Sequence, residues 1–158
     1  MGNKQKIRYS HGDQALLDKI KLLWEELNEH HRQHSLNFKD HYNQMTFKKR
    51  KFDLLQKSLS GKMRVDLAVD EVSGCTVGYC VSSINREKTG EIESIFVNVT
   101  YRRLGIGDSL IRNALSWLDK EEAVAKIVEV GEGNEQSLGF YARYGFLLRK
   151  TVLKQVKK

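Results

Sequence analysis

One segment constrains the fold of this 158-residue chain more than any other: the glycine loop, residues 101–109, which reads Tyr-Arg-Arg-Leu-Gly-Ile-Gly-Asp-Ser. It stands between a strand-like apolar segment and a strongly amphipathic helical pattern. Gly105 and Gly107 permit a tight turn close to a ligand, and the first amides of the following helix have no internal partner. Arg102 and Arg103 add positive charge. The segment therefore predicts a cradle for a ligand that carries phosphate.

The patterns on either side of the loop predict a mixed α/β sheet within a single domain, residues 1–158. Three strands joined by short turns precede the loop and favour an antiparallel meander, whereas a helix and a strand follow it and favour parallel pairing. The predicted strands lie at residues 7–9, 65–69, 76–81, 91–97 and 127–130, with a last strand from Phe146 onward. The predicted helices lie at residues 14 to about 31, 47–59, 107–122 and near 136–144, with Asp13 as the cap of the first.

Composition excludes several classes of protein. A hydrophobic fraction of 40% is too high for a disordered chain, and the two cysteines, Cys75 and Cys80, are too few for a disulfide scaffold. No apolar stretch has the length needed to span a bilayer, and the first residues do not resemble a signal peptide. We therefore expect a cytoplasmic protein that has no membrane partner.

The excess positive charge lies in the first part of the chain. Residues 1–64 contain 14 Lys and Arg against 7 Asp and Glu, whereas the remainder contains 13 of each. The densest run, Lys-Lys-Arg-Lys at residues 48–51, fits the solvated face of an amphipathic helix. Nucleic-acid binding by this run is the alternative, and we do not expect nucleic acid to be the main partner.

Two known phosphate loops fit the glycine loop poorly. A P-loop ends in Gly-Lys-Ser/Thr, but here Asp108 follows Gly107. A dinucleotide-binding loop has a third small residue where this chain has Leu110, and its first strand opens a βαβ unit, whereas here a meander precedes it.

The remaining pattern, Arg102-x-x-Gly105-x-Gly107, resembles the pyrophosphate-binding signature of the GNAT superfamily of acyl-CoA-dependent N-acyltransferases. A second motif strengthens the resemblance: Asn134 begins a predicted short helix, and Tyr141 follows seven residues later within Phe-Tyr-Ala-Arg-Tyr-Gly-Phe. The resemblance implies a mixed, mostly antiparallel central sheet with a bulged, splayed strand pair and about four flanking helices.

The same resemblance implies an acetyl-CoA-dependent N-acetyltransferase that moves the acetyl group directly to a primary amine of a small molecule or peptide in a ternary complex. A non-catalytic acyl-CoA-binding protein is the alternative. Backbone atoms of the bulged strand would contact the acetyl group and pantetheine, and the glycine loop would surround the pyrophosphate. The implied cofactor-binding residues are Ile95, Phe96, Val97, Arg102, Arg103, Leu104, Gly105, Ile106, Gly107, Asp108, Asn134 and Tyr141.

The implied catalytic residues are one tyrosine and a pair of carboxylates. Tyr141 corresponds to the tyrosine that protonates the leaving thiolate, and a phenol pKa of about 10 lies close enough to a thiol pKa of about 8.5 for that transfer. Glu91 and Glu93 share one face of a predicted strand, where family members place a base. Glu93 is favoured because it lies nearer the expected bulge. Alternatively, Glu91 and Glu93 are solvent-facing residues of a half-exposed strand and have no catalytic role.

The amine acceptor and the oligomeric state stay open at this point, and the resemblance allows a homodimer. His30, His31 and His34 lie near the end of the first predicted helix. His30 and His34 are four residues apart and could face the same way, but no third ligand joins them at a convincing spacing, so we expect no metal. The basic first part of the chain favours an acidic or neutral acceptor over a polycation. Val99 stands where many family sequences have proline, and we expect packing to hold this turn.

Overall fold

A computed structural model describes residues 5–157 and contains one five-stranded sheet. The strands follow one another in chain order across the sheet, and the first three pairings are antiparallel whereas the last is parallel. The strands are β1 (Ile7–Gly12), β2 (Gly61–Asp70), β3 (Thr76–Asn85), β4 (Thr89–Val97) and β5 (Ala125–Val128). The predicted mixed, mostly antiparallel sheet is therefore confirmed.

Helices cover both faces of the sheet. The α-helices are α1 (Lys21–His34), α2 (Lys39–Gln44), α3 (Phe47–Leu59), α4 (Ile106–Lys120) and α5 (Ser137–Ala142). Two 3-10 helices, Gln14–Ile20 and Val99–Tyr101, complete the described elements. No described helix has the length and apolar character needed to cross a membrane.

The sheet separates two clusters of buried side chains. On one face, the 3-10 helix Gln14–Ile20, α1 and α3 contribute residues such as Ile20, Trp24 and Leu54. On the other face, α4 buries Leu110 and Leu118, with α5 beside it. Because inward residues alternate along β2 and β3, these two strands supply both clusters.

The bulge expected in the fourth strand is present. Val81 on β3 pairs with Ser94, and the next residue of β3, Ser82, pairs with Ile92, so Glu93 is an extra residue on β4. The parallel pairing with β5 ends at Ile92 and Val128. Beyond that point the two strands separate, which leaves a cleft between the last residues of β4 and the segment that follows β5.

One predicted helix differs from the structure, and one observed helix was not predicted. The predicted helix that starts at residue 14 begins as a 3-10 helix over Gln14–Ile20, capped by Asp13, which accepts a hydrogen bond from Ala15 N. Leu17 and Ile20 lie three residues apart and are both fully buried, a spacing that the 3.0-residue turn of a 3-10 helix places on one side. Helix α2 gave no sequence signal because it buries none of its residues.

The predicted last strand is absent from the described residues. Residues 146–157 form no regular element, and the apolar side chains Leu147, Leu148, Val152 and Leu153 are exposed. A strand needs a neighbour for its backbone hydrogen bonds, and no described strand pairs with this segment.

The packing of α4 gives a first prediction. Leu110→Ala removes a fully buried side chain between α4 and the sheet, and we expect the free energy of unfolding to fall by about 2–5 kcal/mol. Urea denaturation monitored by circular dichroism measures the change. The control is Leu59→Ala, whose side chain is 75% exposed at the end of α3 and whose loss should change stability by less than about 0.5 kcal/mol. Equal effects of the two variants would contradict this packing.

Candidate functional site

The glycine loop forms the cradle that the sequence predicts. Gly105 adopts a left-handed conformation, φ +76°, immediately before the first residue of α4. The amides of the first helical turn, Ile106 to Asp108, lack acceptors among the described residues, and the first helical bond is donated by Ser109 N to Gly105 O at 3.0 Å. A Cβ atom built on Gly105 would have nothing within 4 Å. The loop thus presents free amides beside open space.

Hydrogen bonds hold the turn that leads into the loop, in addition to the expected packing, which Tyr101 provides against the α4-side cluster. The side chain of Val99 is 65% exposed and contributes little packing. Instead, Asn98 Oδ1 accepts hydrogen bonds from the amide and the hydroxyl of Thr100 at 3.0 and 2.7 Å. The Tyr101 hydroxyl donates to Asp70 Oδ2 at 2.7 Å, which ties the turn to the end of β2.

The carboxylate of Asp108 lies in the cradle and is neutralised by its neighbours. Tyr144 donates its hydroxyl to Asp108 Oδ1 at 2.5 Å, and Arg112 Nε lies 3.0 Å from each carboxylate oxygen. These hydrogen bonds, that of Tyr144 first, lower the pKa of Asp108. The carboxylate therefore remains charged, and Arg112 offsets its charge.

The backbone of β4 is open toward the cleft beyond the bulge. Ile95 and Val97 are partly buried against the α4 side of the sheet, whereas Phe96 packs into the opposite cluster. No described strand pairs with the β5 side of residues 93–97. Arg102 lies at the end of this edge: its Nε donates to Val97 O at 3.3 Å, and its guanidinium stacks 5.6 Å from the Phe96 ring centre.

Tyr141 and Tyr144 lie in different environments. The Tyr141 ring is buried in the α4-side cluster, between Phe140 and Phe146, and burial raises the pKa of its hydroxyl well above the usual value of 10. Its hydroxyl makes no hydrogen bond with the described residues. Because the hydroxyl of Tyr144 is already donated to Asp108, Tyr141 is the tyrosine of this pair that retains a free proton.

A cavity of about 340 Å³ lies at the mouth of the cleft, between α3, β4 and the segment after β5. Its wall brings together both predicted base residues, Glu91 and Glu93. The residues that line it are Arg50, Lys57, Glu91, Ile92, Glu93, Glu129, Val130 and Gly131.

The side chain of Glu93 is 2% exposed and is surrounded by donors. Lys57 Nζ lies 2.7 Å from its Oε1, which also accepts the Ser83 hydroxyl at 2.6 Å. Arg50 donates to the Glu93 carbonyl oxygen at 3.0 Å and lies 3.4 Å from Oε2. Lys57 also donates to Glu91 Oε2 at 2.8 Å. Glu93 is therefore a buried carboxylate that two cations and a hydroxyl compensate.

The pKa of Lys57 reflects these two carboxylates. Burial by itself would lower the pKa of its ammonium, but the hydrogen bonds to Glu91 and Glu93 outweigh that effect and raise it. Lys57 is consequently charged at neutral pH. Sequence reasoning missed Lys57, Arg50 and Ser83 as site residues, because only the packing of α3 on the sheet brings them to Glu93.

The basic run at residues 48–51 is not a uniform solvated face. Arg50 turns toward Glu93, and Lys51 Nζ lies 2.7 Å from Asp18 Oδ1. Lys49 Nζ donates to the carbonyl oxygen of Gln44 at 3.1 Å. Arg50 is thus turned inward, and Lys49 and Lys51 are engaged in contacts on the surface, which weakens the case for nucleic-acid binding by the run.

The turn between α1 and α2 is fastened to the segment after β5. Glu132 accepts hydrogen bonds from the Ser35 hydroxyl at 2.5 Å, the Leu36 amide at 2.7 Å and the Asn37 amide at 3.2 Å. These bonds, that of Ser35 first, lower the pKa of Glu132. Gly133 has φ +90°, and a Cβ there would lie 2.6 Å from the His34 carbonyl oxygen, so this contact requires glycine.

The three histidines pack around the same junction. His30 Nε2 lies 3.1 Å from Gln136 Nε2, and Gln136 also donates to Asn134 Oδ1 at 3.2 Å. His31 stacks on Tyr42, and its burial, together with the charges of His30 and His34, lowers its pKa to about 4. Within residues 5–157 no group of three metal-ligating side chains occurs, so the structure offers no histidine metal site there.

Comparison with known proteins identifies the family. The model of the acetyltransferase (GNAT) family matches residues 21–146. The chain belongs to this family. This chain is 36% identical over 101 residues to an uncharacterised N-acetyltransferase of Methanocaldococcus jannaschii. The alignment covers 57% of this chain and 44% of that protein. It spans about half the length of the curated relatives it matches.

Solved structures share the GNAT fold over the whole chain. A GCN5-related N-acetyltransferase from Ralstonia eutropha superimposes with a TM-score of 0.74 at 15% identity, over 96% of this chain and 99% of that chain. The aminoglycoside N-acetyltransferase AAC(6')-Iy, solved in complex with CoA, has a TM-score of 0.69 at 14% identity, over 100% of this chain and 99% of that chain. At these identities the likeness establishes the fold.

The Glu132 junction gives a pH-dependent prediction. A carboxyl group whose pKa is lowered by folding stabilises the protein above its unfolded pKa of about 4.3, and this contribution is lost as the pH falls through the lowered folded value. Glu132→Gln should therefore destabilise the protein at pH 7, and the difference from the parent protein should shrink below pH of about 4. Denaturant midpoints measured across this range give the comparison. A difference that stays constant down to the lowest pH would contradict the assigned role.

Proposed function

We propose that this protein is an acetyl-CoA-dependent N-acetyltransferase that transfers the acetyl group directly to a primary amine in a ternary complex. The observation that carries the proposal is the open edge of β4 beyond the bulge, which runs from the cavity at Glu93 to the free amides at Gly105. A cleft of this kind accommodates a long, thin substrate whose anionic end and reacting end lie far apart. Membership of an acetyltransferase family supports acetyl-CoA as that substrate.

The chain's residues fit CoA along this path. The free amides of Ile106, Gly107 and Asp108 and the arginines of the loop suit the pyrophosphate, with space above Gly105 for its oxygens. Leu104 is half exposed on the same loop. The backbone groups of residues 95–97 on the side away from β3 suit the amides of the pantetheine arm, and Asn134, in the segment after β5, is proposed to bond the same arm. The CoA complex of AAC(6')-Iy, which shares the fold, supports this assignment.

Tyr141 is proposed as the proton donor to the leaving thiolate. Burial raises the pKa of the Tyr141 hydroxyl, so the phenol is protonated at neutral pH and is available as a donor. A thiolate released in the same desolvated cleft is also disfavoured in its charged form, which raises its affinity for a proton and allows the hydroxyl to donate to it. Tyr144 cannot serve equally, because Asp108 already accepts its proton.

Glu93 and Glu91 remain the proposed acceptors of the amine's proton. Both carboxylates face the cavity beside the bulge, and Glu93 is the nearer to the open backbone. An incoming ammonium is attracted by these groups before it loses its proton, since opposite charges at the edge of a low-dielectric site interact strongly. It must, however, share the carboxylates with Lys57. Glu129, which faces the same cavity, adds a third negative charge.

Charge in the cavity changes the expectation for the acceptor. The basic first part of the chain favours an acidic or neutral acceptor, but the cavity itself contains three carboxylates against two cations. We therefore propose that the reacting group enters as an ammonium ion, and that the net charge of the chain does not select the acceptor.

CoA binding tests the cradle. Gly105→Glu places a carboxylate in the open space above the free amides, and we expect it to abolish the thermal stabilisation that CoA gives to the parent protein. Dephospho-CoA and ATP should stabilise the parent less than CoA does. The matched control is Gly74→Glu, because Gly74 has φ +72° and equally open surroundings but lies in the turn between β2 and β3. This site would be excluded if CoA still stabilised Gly105→Glu, or if CoA no longer stabilised the Gly74→Glu control.

Transfer to amines tests the proton donor. Tyr141→Phe keeps the packing of a ring whose hydroxyl has no partner in the described part of the chain, so we expect an unchanged thermal midpoint. We expect kcat to fall about 10²-fold with little change in KM for acetyl-CoA. Release of the free CoA thiol across a panel of primary amines is the readout. Tyr144→Phe should instead raise KM, because it frees Asp108 in the cradle. CoA binding without transfer to any amine would favour the acyl-CoA-binding alternative.

A further inference from the structure

We propose that Lys57 is itself acetylated by this protein, in cis, when acetyl-CoA is bound and no acceptor occupies the cavity. The inference rests on the proposed function, because it requires the acetyl group to be presented at the bulge of β4. It adds a modification site that belongs to the chain and not to a substrate.

The position of Lys57 is the first argument. Among the residues that line the cavity, all of them described, Lys57 is the one that carries a primary amine. Leu54, one turn earlier on the same face of α3, is buried at 1% exposure and anchors the helix on the sheet. Lys57 is therefore directed to the cavity by its helix, while its side chain keeps 45% exposure and the freedom to change rotamer.

The second argument is the pair of groups that Lys57 contacts. Its ammonium nitrogen lies 2.8 Å from Glu91 Oε2 and 2.7 Å from Glu93 Oε1, the two carboxylates proposed to receive the proton of an acceptor. The ammonium of Lys57 thus occupies the place that an acceptor ammonium needs. A group held beside the reactive centre reacts with an effective concentration far above that of a free amine.

The covalent step is a direct acyl transfer. A carboxylate takes one proton from the ammonium, and the lone pair of Nζ then attacks the thioester carbon. A C–N bond forms as the C–S bond breaks, and the sulfur takes a proton from the Tyr141 hydroxyl. The nitrogen then gives up its second proton, which passes through water to the Tyr141 oxygen. The products are Nζ-acetylated Lys57, CoA thiol and one released proton.

Acetylation changes the cavity in a definite way. The positive charge between Glu91 and Glu93 disappears, so the two carboxylates lose their shared cation. Arg50 and Ser83 continue to hold Glu93. The cavity then becomes more negative by one charge and offers its carboxylates to the ammonium of an external acceptor.

Peptide mass spectrometry of the whole protein, incubated with acetyl-CoA and no acceptor, tests the inference. We expect Lys57 to gain one acetyl group about 100-fold faster than Lys48, an exposed lysine of the same helix that reports uncatalysed acetylation. The fraction acetylated per unit time should not depend on protein concentration, and Tyr141→Phe should slow the reaction at Lys57 but not at Lys48. In Lys57→Arg no other lysine should acquire the fast reaction.

The contrary results are distinct. Equal acetylation rates at Lys57 and Lys48 would mean that Lys57 is only an ion-pair partner of Glu91 and Glu93, and the inference would be wrong. A rate that rises with protein concentration would mean that one molecule acetylates another, which would contradict the reaction in cis. If CoA stabilises the protein and amines are acetylated while Lys57 is not, the inference fails and the proposed function stands. If CoA gives no stabilisation, the proposed function itself fails.

Discussion

The structure depends on the point at which β4 and β5 stop pairing. Up to Ile92 and Val128 the two strands form an ordinary parallel ladder, and at Glu93 an extra residue bends β4 away from its neighbour. Beyond the bulge β4 stays paired with β3, but its backbone groups on the β5 side have no partner strand, which would normally be costly in a sheet interior. Here those groups face a cleft, and the free amides of α4 face the far end of it. One irregularity in one strand therefore creates both a backbone surface for a ligand and the room to hold it.

A buried carboxylate is the second consequence of the bulge. The extra residue is Glu93, and its 2% exposed side chain would be strongly destabilising if it lacked partners. Arg50 and Lys57 from α3 and Ser83 from β3 supply them. The same contacts fix α3 over the cleft and form one wall of the cavity. The same interactions therefore compensate the charge of Glu93 and hold α3 over the cleft. A substitution that weakens one effect also weakens the other.

Periodicity predicted the elements with a buried face and failed for those without one. Helix α3 was predicted with its observed bounds because Leu54 and its neighbours recur at helical spacing, whereas α2 buries nothing and left no apolar pattern. The glycine loop was predicted because its geometry is local: Gly105 needs a left-handed backbone, and a helix follows at once. Its bracing by Asp70 was missed, because 31 residues separate that carboxylate from Tyr101 and only sheet formation brings them together.

The sequence alone determined what depends on neighbours along the chain: the order of β1 to β5 and of the helices that bury a face, the free amides of the cradle, and the tyrosine and carboxylates expected in the site. Tertiary structure decided which of these groups are free. It paired Tyr144 with Asp108 and left the Tyr141 hydroxyl without a partner among residues 5–157, and it turned Arg50 of the basic run inward. It also placed Lys57 between Glu91 and Glu93. The physical reason is that propensity and periodicity act over a few residues, whereas the charge state and accessibility of a side chain depend on the distant residues that folding brings beside it.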